Sequence, residues 1–285
     1  MKSLINASLF LFLNLQLFGQ TISGKVEGIS NNEPLVYAGI GVIETNVGTI
    51  TNEEGEFSLE VKGLPVNSRV RFSMVGFKSK TFTIEELLDK ENIIRLDSEI
   101  YNLPEVIINP SGRIRKVGTT GISPGGGVCG WGGTQTGKGW EVGTKIKLGD
   151  IPVRLRSIHI RVNNQSYDST LFRLHIRNIV GSLPGNELLK NDILISLTKE
   201  KGWVEIDLDK YNLVYEGAIA LSLEWIKIFC VDINKFITVN GEKRLAAGVT
   251  LEKKRNQGCI FTKWGTEAKW VRHDNESPCI YMTVQ

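Results

Sequence analysis

Apolar and polar residues alternate in short runs from Thr21 onward, and a turn signal separates most runs from the next. The first series reads "TISGKVEG", "LVYAGIGVIE", "VGTITN", "EFSLEVK", "RVRFSMVG" and "FKSKTFTI". Recurrence at about ten residues with turns between is the pattern of a β-sandwich. In "NEEGEFSLEVK", Gly55 supplies the turn, while Phe57, Leu59 and Val61 alternate with Ser58, Glu60 and Lys62, so one face is buried and the other wet. Only "IEELLDK" has a helical pattern.

A second series follows: "WEVGTKIKL", "VRLRSIHIRVNN", "LFRLHIRNIV", "ILISLTK", "GWVEIDLDKY", "GAIALSLEWIKI", "FITVN", "GVTLEKK", "GCIFTKW" and "CIYMTVQ". These are strands without a convincing long helix, and they predict a second, larger sandwich of jelly-roll type. Ile158, Ile160 and Val162 share one face with His159 and Arg161 opposite; Phe172, Leu174 and Ile176 share one with Arg173, His175 and Arg177 opposite. The apolar faces are core, and the basic faces are expected to stand outward in solvent on neighbouring strands.

Segments outside the two series complete the layout. Residues 1–19 pair Lys2 with an apolar run from Leu9 to Phe18 and a small Gly19, as a secretory signal peptide does. That run and every later one are shorter than the ~20 residues of a membrane-spanning helix. The expected organisation is therefore signal peptide 1–19, all-β sandwich 20–98, linker 99–127 and jelly-roll-like sandwich 128–285. The mature chain is expected to be exported: periplasmic, outer-membrane-associated or secreted.

Charge adds one exclusion. The chain holds 34 Lys and Arg against 31 Asp and Glu, too balanced for a nucleic-acid binder. A nucleotide is excluded by context: Gly132–Lys138 spells G-x-x-x-x-G-K, but Gly139 holds the Ser/Thr position and a strand-like run follows in place of a helix. The stretch reads as a domain boundary.

The residues from "ISGKVEG" through "EPLVYAGIGVIETNVGTITNEEGEFSLEV" to "SMVGFKSKTF" and "LPEVII" resemble the carboxypeptidase regulatory-like domain that precedes many TonB-dependent outer-membrane receptors. The resemblance implies a seven-stranded, transthyretin-like sandwich without catalytic residues. The chain departs from those receptors after "LPEVII", where too few residues remain for a large membrane barrel. The second series is similar to an uncharacterised sandwich found behind such domains in exported bacterial proteins, and more loosely to jelly rolls of adhesins and carbohydrate-binding modules.

Candidate chemistry is sparse. No G-x-S-x-G or H-E-x-x-H occurs, so no catalytic residue, metal or cofactor is assigned. His159, Arg161, Arg173, His175 and Arg177 form a possible anion-binding patch, with a solvated β-face as the simpler reading. Trp203 shares a face with Glu205 and Asp207, so its ring is available to stack on a sugar, as those of Trp264 and Trp270 could be; Trp225 lies on an apolar face. Four cysteines, Cys129, Cys230, Cys259 and Cys279, allow disulfides in an exported chain; Cys259 with Cys279 is the favoured pair, and one bridge with two free thiols is the alternative. The expected function is a non-catalytic envelope accessory protein that binds a glycan or an envelope protein. The alternatives are a hydrolase with a loop-built site in the second domain, and a structural scaffold.

Overall fold

The computed structural model describes residues 20–99, 112–123, 125–132, 138–198, 201–229, 236–239, 242–245 and 248–285. The expected signal peptide, much of the expected linker, residues 133–137 and Cys230 lie outside them.

The first domain consists of β1 (Thr21–Gly28), β2 (Gly39–Val42), β3 (Gly48–Ile50), β4 (Glu56–Glu60), β5 (Arg69–Ser73), β6 (Phe77–Lys78), β7 (Lys80–Thr83), α1 (Ile84–Leu87) and β8 (Asn92–Ser98). Two four-stranded sheets, β4-β1-β8-β6 and β3-β2-β5-β7, enclose one core. Phe57, Leu59 and Val61 are buried there, as their alternation requires, with Phe57 edge-on to Phe72 at 5.4 Å. Eight strands replace the seven implied, because the run "FKSKTFT" is divided at Ser79. Phe77 and Lys78 pair with β8 in one sheet, while Lys80 to Thr83 pair with β5 in the other. Thr83 caps α1 and Glu86 reaches back to the Thr83 backbone, closing a capping box.

The second domain contains β9 (Arg115–Gly118), β10 (Val128–Gly132), β11 (Trp140–Gln165), β12 (Ser169–Val180), β13 (Leu183–Glu187), β14 (Leu194–Leu197), β15 (Gly202–Asp207), β16 (Val214–Phe229), β17 (Phe236–Val239), β18 (Glu242–Leu245), β19 (Gly248–Trp264), β20 (Val271–Pro278) and β21 (Ile280–Val284). β9 lies within the stretch expected as linker and pairs with β21. Strand β11 does the folding-over. Its first part, Glu141 to Lys147, pairs with β16; register shifts at Gly149 and before Val153 turn it, and beyond the turn Ser157 to Val162 pair with β15 and Ser157 to Ile160 with β21. Such bulges carry a strand round a sandwich corner. Ile158, Ile160, Val162, Phe172, Leu174, Ile176 and Trp225 all enter the single core beneath. Among the described residues no helix is long and apolar enough to cross a membrane.

The two domains pack directly on each other. Tyr37 and Ile50 of the first bury Ile226 of the second, and Val75 joins the second domain's core. The turn between β19 and β20 lies flat against the first domain, where Thr266 Oγ1 donates to the Thr49 carbonyl at 3.3 Å and the Glu44 amide donates to the Glu267 carbonyl at 2.9 Å.

The favoured disulfide is not formed: Cys129, Cys259 and Cys279 are free thiols. Cys259 stands opposite Asp274, five residues before Cys279, so roughly 15 Å of extended backbone separates the two. A bridge needs Cα atoms within about 7 Å. Cys259 packs with Ala220 and Phe261, whereas Cys279 Sγ donates to the Gly121 carbonyl at 3.3 Å.

Candidate functional site

Two surfaces of the second domain collect the residues singled out from sequence. The bend in β11 separates them, which puts His159 and Arg161 apart from Arg173, His175 and Arg177.

The first surface faces the first domain across a cleft of about 930 Å³. Four adjacent strands set one row of charge across its floor: Arg173 on β12 is opposite Glu224 on β16, Glu224 opposite Glu141 on β11, and Glu141 opposite Lys263 on β19. Two carboxylates side by side repel each other, and cations flank them on both sides. Arg173 donates to Asp192 at 2.6 and 3.1 Å and to Glu224 at 3.1 Å. Arg177 donates to Glu141 at 2.6 and 3.2 Å, and Lys263 lies 2.5 Å from the same carboxylate. His175 joins Glu187 at 2.6 Å and Glu224 at 3.0 Å.

This face is not the solvated one that alternation predicts. Arg173 is 2% exposed, His175 6% and Glu141 1%: Asp192, Glu187 and Trp270 of the same domain pack on the row, and the first domain forms the far wall of the cleft. Buried charge on this scale persists only when paired. Burial opposes ionisation of Glu141, but Arg177 and Lys263 outweigh it and hold its pKa well below 4.5. At Glu224 burial is likewise overcome, chiefly by Arg173 and His175. At His175, burial and Arg177 oppose protonation, yet Glu141 and Glu187 prevail and raise its pKa above 6.5.

A pH dependence follows from these directions. The raised His175 value contributes stability that is fully present below 6.5 and is lost as pH rises through the folded-state pKa. The lowered Glu141, Glu187 and Glu224 values contribute stability present above 4.5 and lost as pH falls through their folded values. Denaturant unfolding measured against pH is expected to give a stability maximum between these limits. His175→Gln is expected to remove the alkaline limb alone; an unchanged limb would assign it elsewhere.

Trp270 stands at the edge of the cleft with Arg177 and Lys263 over its ring at 5.4 and 5.3 Å. Trp264 ends β19 edge-on to Trp140 at 4.9 Å, a packing contact at the start of β11. The partners of the basic row, Glu141, Glu187, Asp192, Glu224 and Lys263, were not singled out from sequence. Their signal was there: "WEVG" and "LSLEWI" each carry a lone carboxylate in an apolar strand, which demands a cation on the neighbouring strand.

The second surface lies on the other side of the bend. Arg161 is opposite Trp203 and His159 opposite Glu205 across β11 and β15, with Tyr281 of β21 on the far side of His159. The His159 and Tyr281 rings stack at 4.3 Å and 6°, and Trp203 meets Tyr281 edge-on at 5.0 Å. Arg161 lies over Trp203 at 5.6 Å and pairs with Glu252 at 2.8 Å, while Lys116 lies over Tyr281 at 5.1 Å. Burial lowers the His159 pKa, with Glu205 opposing, so the ring is neutral at pH 7. Ser157 Oγ is 2.9 Å from His159 Nε2 and 2.6 Å from Thr283 Oγ1. Glu205 approaches the same Nε2, at 3.6 Å. A relay needs its carboxylate on the opposite ring nitrogen from the serine, so this trio lacks triad geometry. Among the described residues no group of His, Cys, Asp and Glu side chains could hold a metal ion.

Residues 22–108 match the family model of the CarboxypepD_reg-like domain. No curated protein matches the chain. Among solved structures it is similar to the cysteine protease and lectin-like domains of Cwp84, a surface layer associated protein of Clostridium difficile, at 10% identity and a TM-score of 0.39, over 94% of this chain and 58% of that one. It is also similar to a chain of the T13 IBDV viral particle, at 8% identity and a TM-score of 0.16, over 93% and 60%. The chain thus spans less than two thirds of the length of either.

Proposed function

We propose that this chain, whose first domain is a CarboxypepD_reg-like domain, is a non-catalytic exported protein of the cell envelope that binds a glycan on the second surface of its larger domain. The observation that carries this reading is the half-buried Trp203 ring, backed edge-on by the buried Tyr281 and ringed by Arg161, His159, Glu205 and Lys116. Aromatic faces stack on the apolar faces of sugar rings, and the polar rim satisfies hydroxyls. The cleft charges serve this function differently: by pairing among themselves they fix the sandwich on which the surface is displayed.

The test is an envelope-glycan array probed with purified residues 20–285. Saturable binding is expected, and Trp203→Ala is expected to weaken it about tenfold, the worth of one stacked aromatic. Silence across the array together with a co-purifying protein would replace the glycan with a protein partner. The hydrolase alternative has its own readout. A fluorophosphonate probe that labels Ser157 would overturn the non-catalytic reading.

A further inference from the structure

Two acids that line the cleft stand outside the charge network, Glu99 at its more open edge and the mostly buried Glu267. Glu141, Glu187 and Glu224 each have a basic partner within 3.0 Å. Glu267, in the turn between β19 and β20, also lines the cleft, and its nearest partners are Ser73 Oγ at 3.4 Å and the Arg71 guanidinium at 3.8 Å. Both belong to the first domain. Burial raises the Glu267 pKa, and neither Arg71 nor Lys263 brings it back to the ordinary value. A mostly buried carboxylate with contacts this long lacks a cation at hydrogen-bonding distance.

We infer that the cleft is a binding site for a small zwitterion, an amino acid or the end of a short peptide, whose ammonium group pairs with Glu267. The cavity volume of about 930 Å³ is in the range of small-molecule sites. The first domain lines the cleft with Arg71 and Lys78, more exposed than the second domain's cations. Arg71, 3.8 Å from Glu267, can take the ligand carboxylate, and Lys78, in an exposed 3.8 Å pair with Asp97, can support it. Met74, Phe77 and Trp270 supply apolar wall. The buried basic row cannot serve that purpose, because Arg173 and Arg177 already spend their donors on Asp192, Glu224 and Glu141. The site needs both domains, with the carboxylate on one and the cations on the other, and it is separate from the aromatic surface.

Calorimetric titration of residues 20–285 with alanyl-alanine, glycyl-lysine and lysine tests the inference. At least one of the three is expected to bind saturably at micromolar to millimolar concentration, and N-acetylation of that probe is expected to weaken it at least about tenfold, as loss of a buried charge pair does. Glu267→Gln is isosteric and keeps the Ser73 contact; it is expected to give the same loss with an unchanged melting temperature. Trp203→Ala is expected to leave the titration untouched, which separates this site from the glycan surface. No saturation by any of the three probes, or equal binding of the acetylated form or by Glu267→Gln, overturns the inference.

Discussion

Arg173→Met is expected to lower the unfolding free energy of the second domain by about 3–5 kcal/mol, the cost of breaking a buried ion pair from one side. The size follows from what the substitution leaves behind. Arg173 is almost fully buried, with all three guanidinium nitrogens donating, two to Asp192 and one to Glu224. Methionine fills much of the volume but strands Asp192 and leaves Glu224 with His175 alone, and Glu224 already faces Glu141 directly across the strand pair. Lysine restores one charge without the planar fork, so Arg173→Lys is expected to recover less than half of the loss. Arg173→Met with Glu224→Leu removes one of the two acids together with its cation and is expected to be more stable than Arg173→Met alone, since an apolar pair avoids the desolvation that the ions incur. Urea denaturation followed by tryptophan fluorescence reads all three. A shift below about 1 kcal/mol for Arg173→Met, the range of an exposed pair, would mean that water reaches the row.

The sequence carries much of this architecture and less of the site, for identifiable reasons. Alternation at Phe57, Leu59 and Val61, and at Phe172, Leu174 and Ile176, sorts each strand into core and non-core faces, and every one of these residues is buried. Alternation does not say what covers the other face. At Arg173, His175 and Arg177 the neighbours are Asp192, Glu187, Glu141 and Trp270, with the cleft beyond them, and a period-two pattern is the same for such a face as for one in open solvent. Continuity along a run hides a second fact. "WEVGTKIKL" and "VRLRSIHIRVNN" read as two strands, but they are a single strand that turns at Gly149, so His159 and His175 fall on different surfaces. The face on which Trp203 lies, opposite the core-packed Val204 and Ile206, follows from local alternation alone. The Trp203 partner Tyr281 comes from the last strand, and no local pattern links the two. The cysteine pairing failed for the same reason: nearness in sequence said nothing about the register of β19 against β20.

Gly39→Val is expected to uncouple the domains while leaving each folded. Gly39 and Gly41 lie on β2, and Gly48 on β3, at the positions where the turn between β19 and β20 rests. A Cβ on Gly39 would stand 2.6 Å from Thr266 Cγ2, one on Gly41 2.9 Å from Glu267 Cγ, and one on Gly48 3.0 Å from Thr266 Oγ1. None of the three has a left-handed backbone. Valine therefore suits the strand conformation itself and even raises its β-propensity, so any damage is to the contact. Overpacking of this kind costs about 1–3 kcal/mol at one position, and it falls on an interface that also holds the Thr49 and Glu44 backbone bonds and the Ile226 cluster. Native protein is expected to unfold in one calorimetric transition, and the Gly39→Val/Gly41→Val variant in two, with faster proteolysis between the domains. Gly39→Ala combined with Thr266→Ser is expected to keep the single transition, because serine lacks the Cγ2 that the new methyl group would meet and keeps the hydroxyl that donates to Thr49. Were the double valine variant to melt as one unit at the native temperature, the glycines would be incidental to docking.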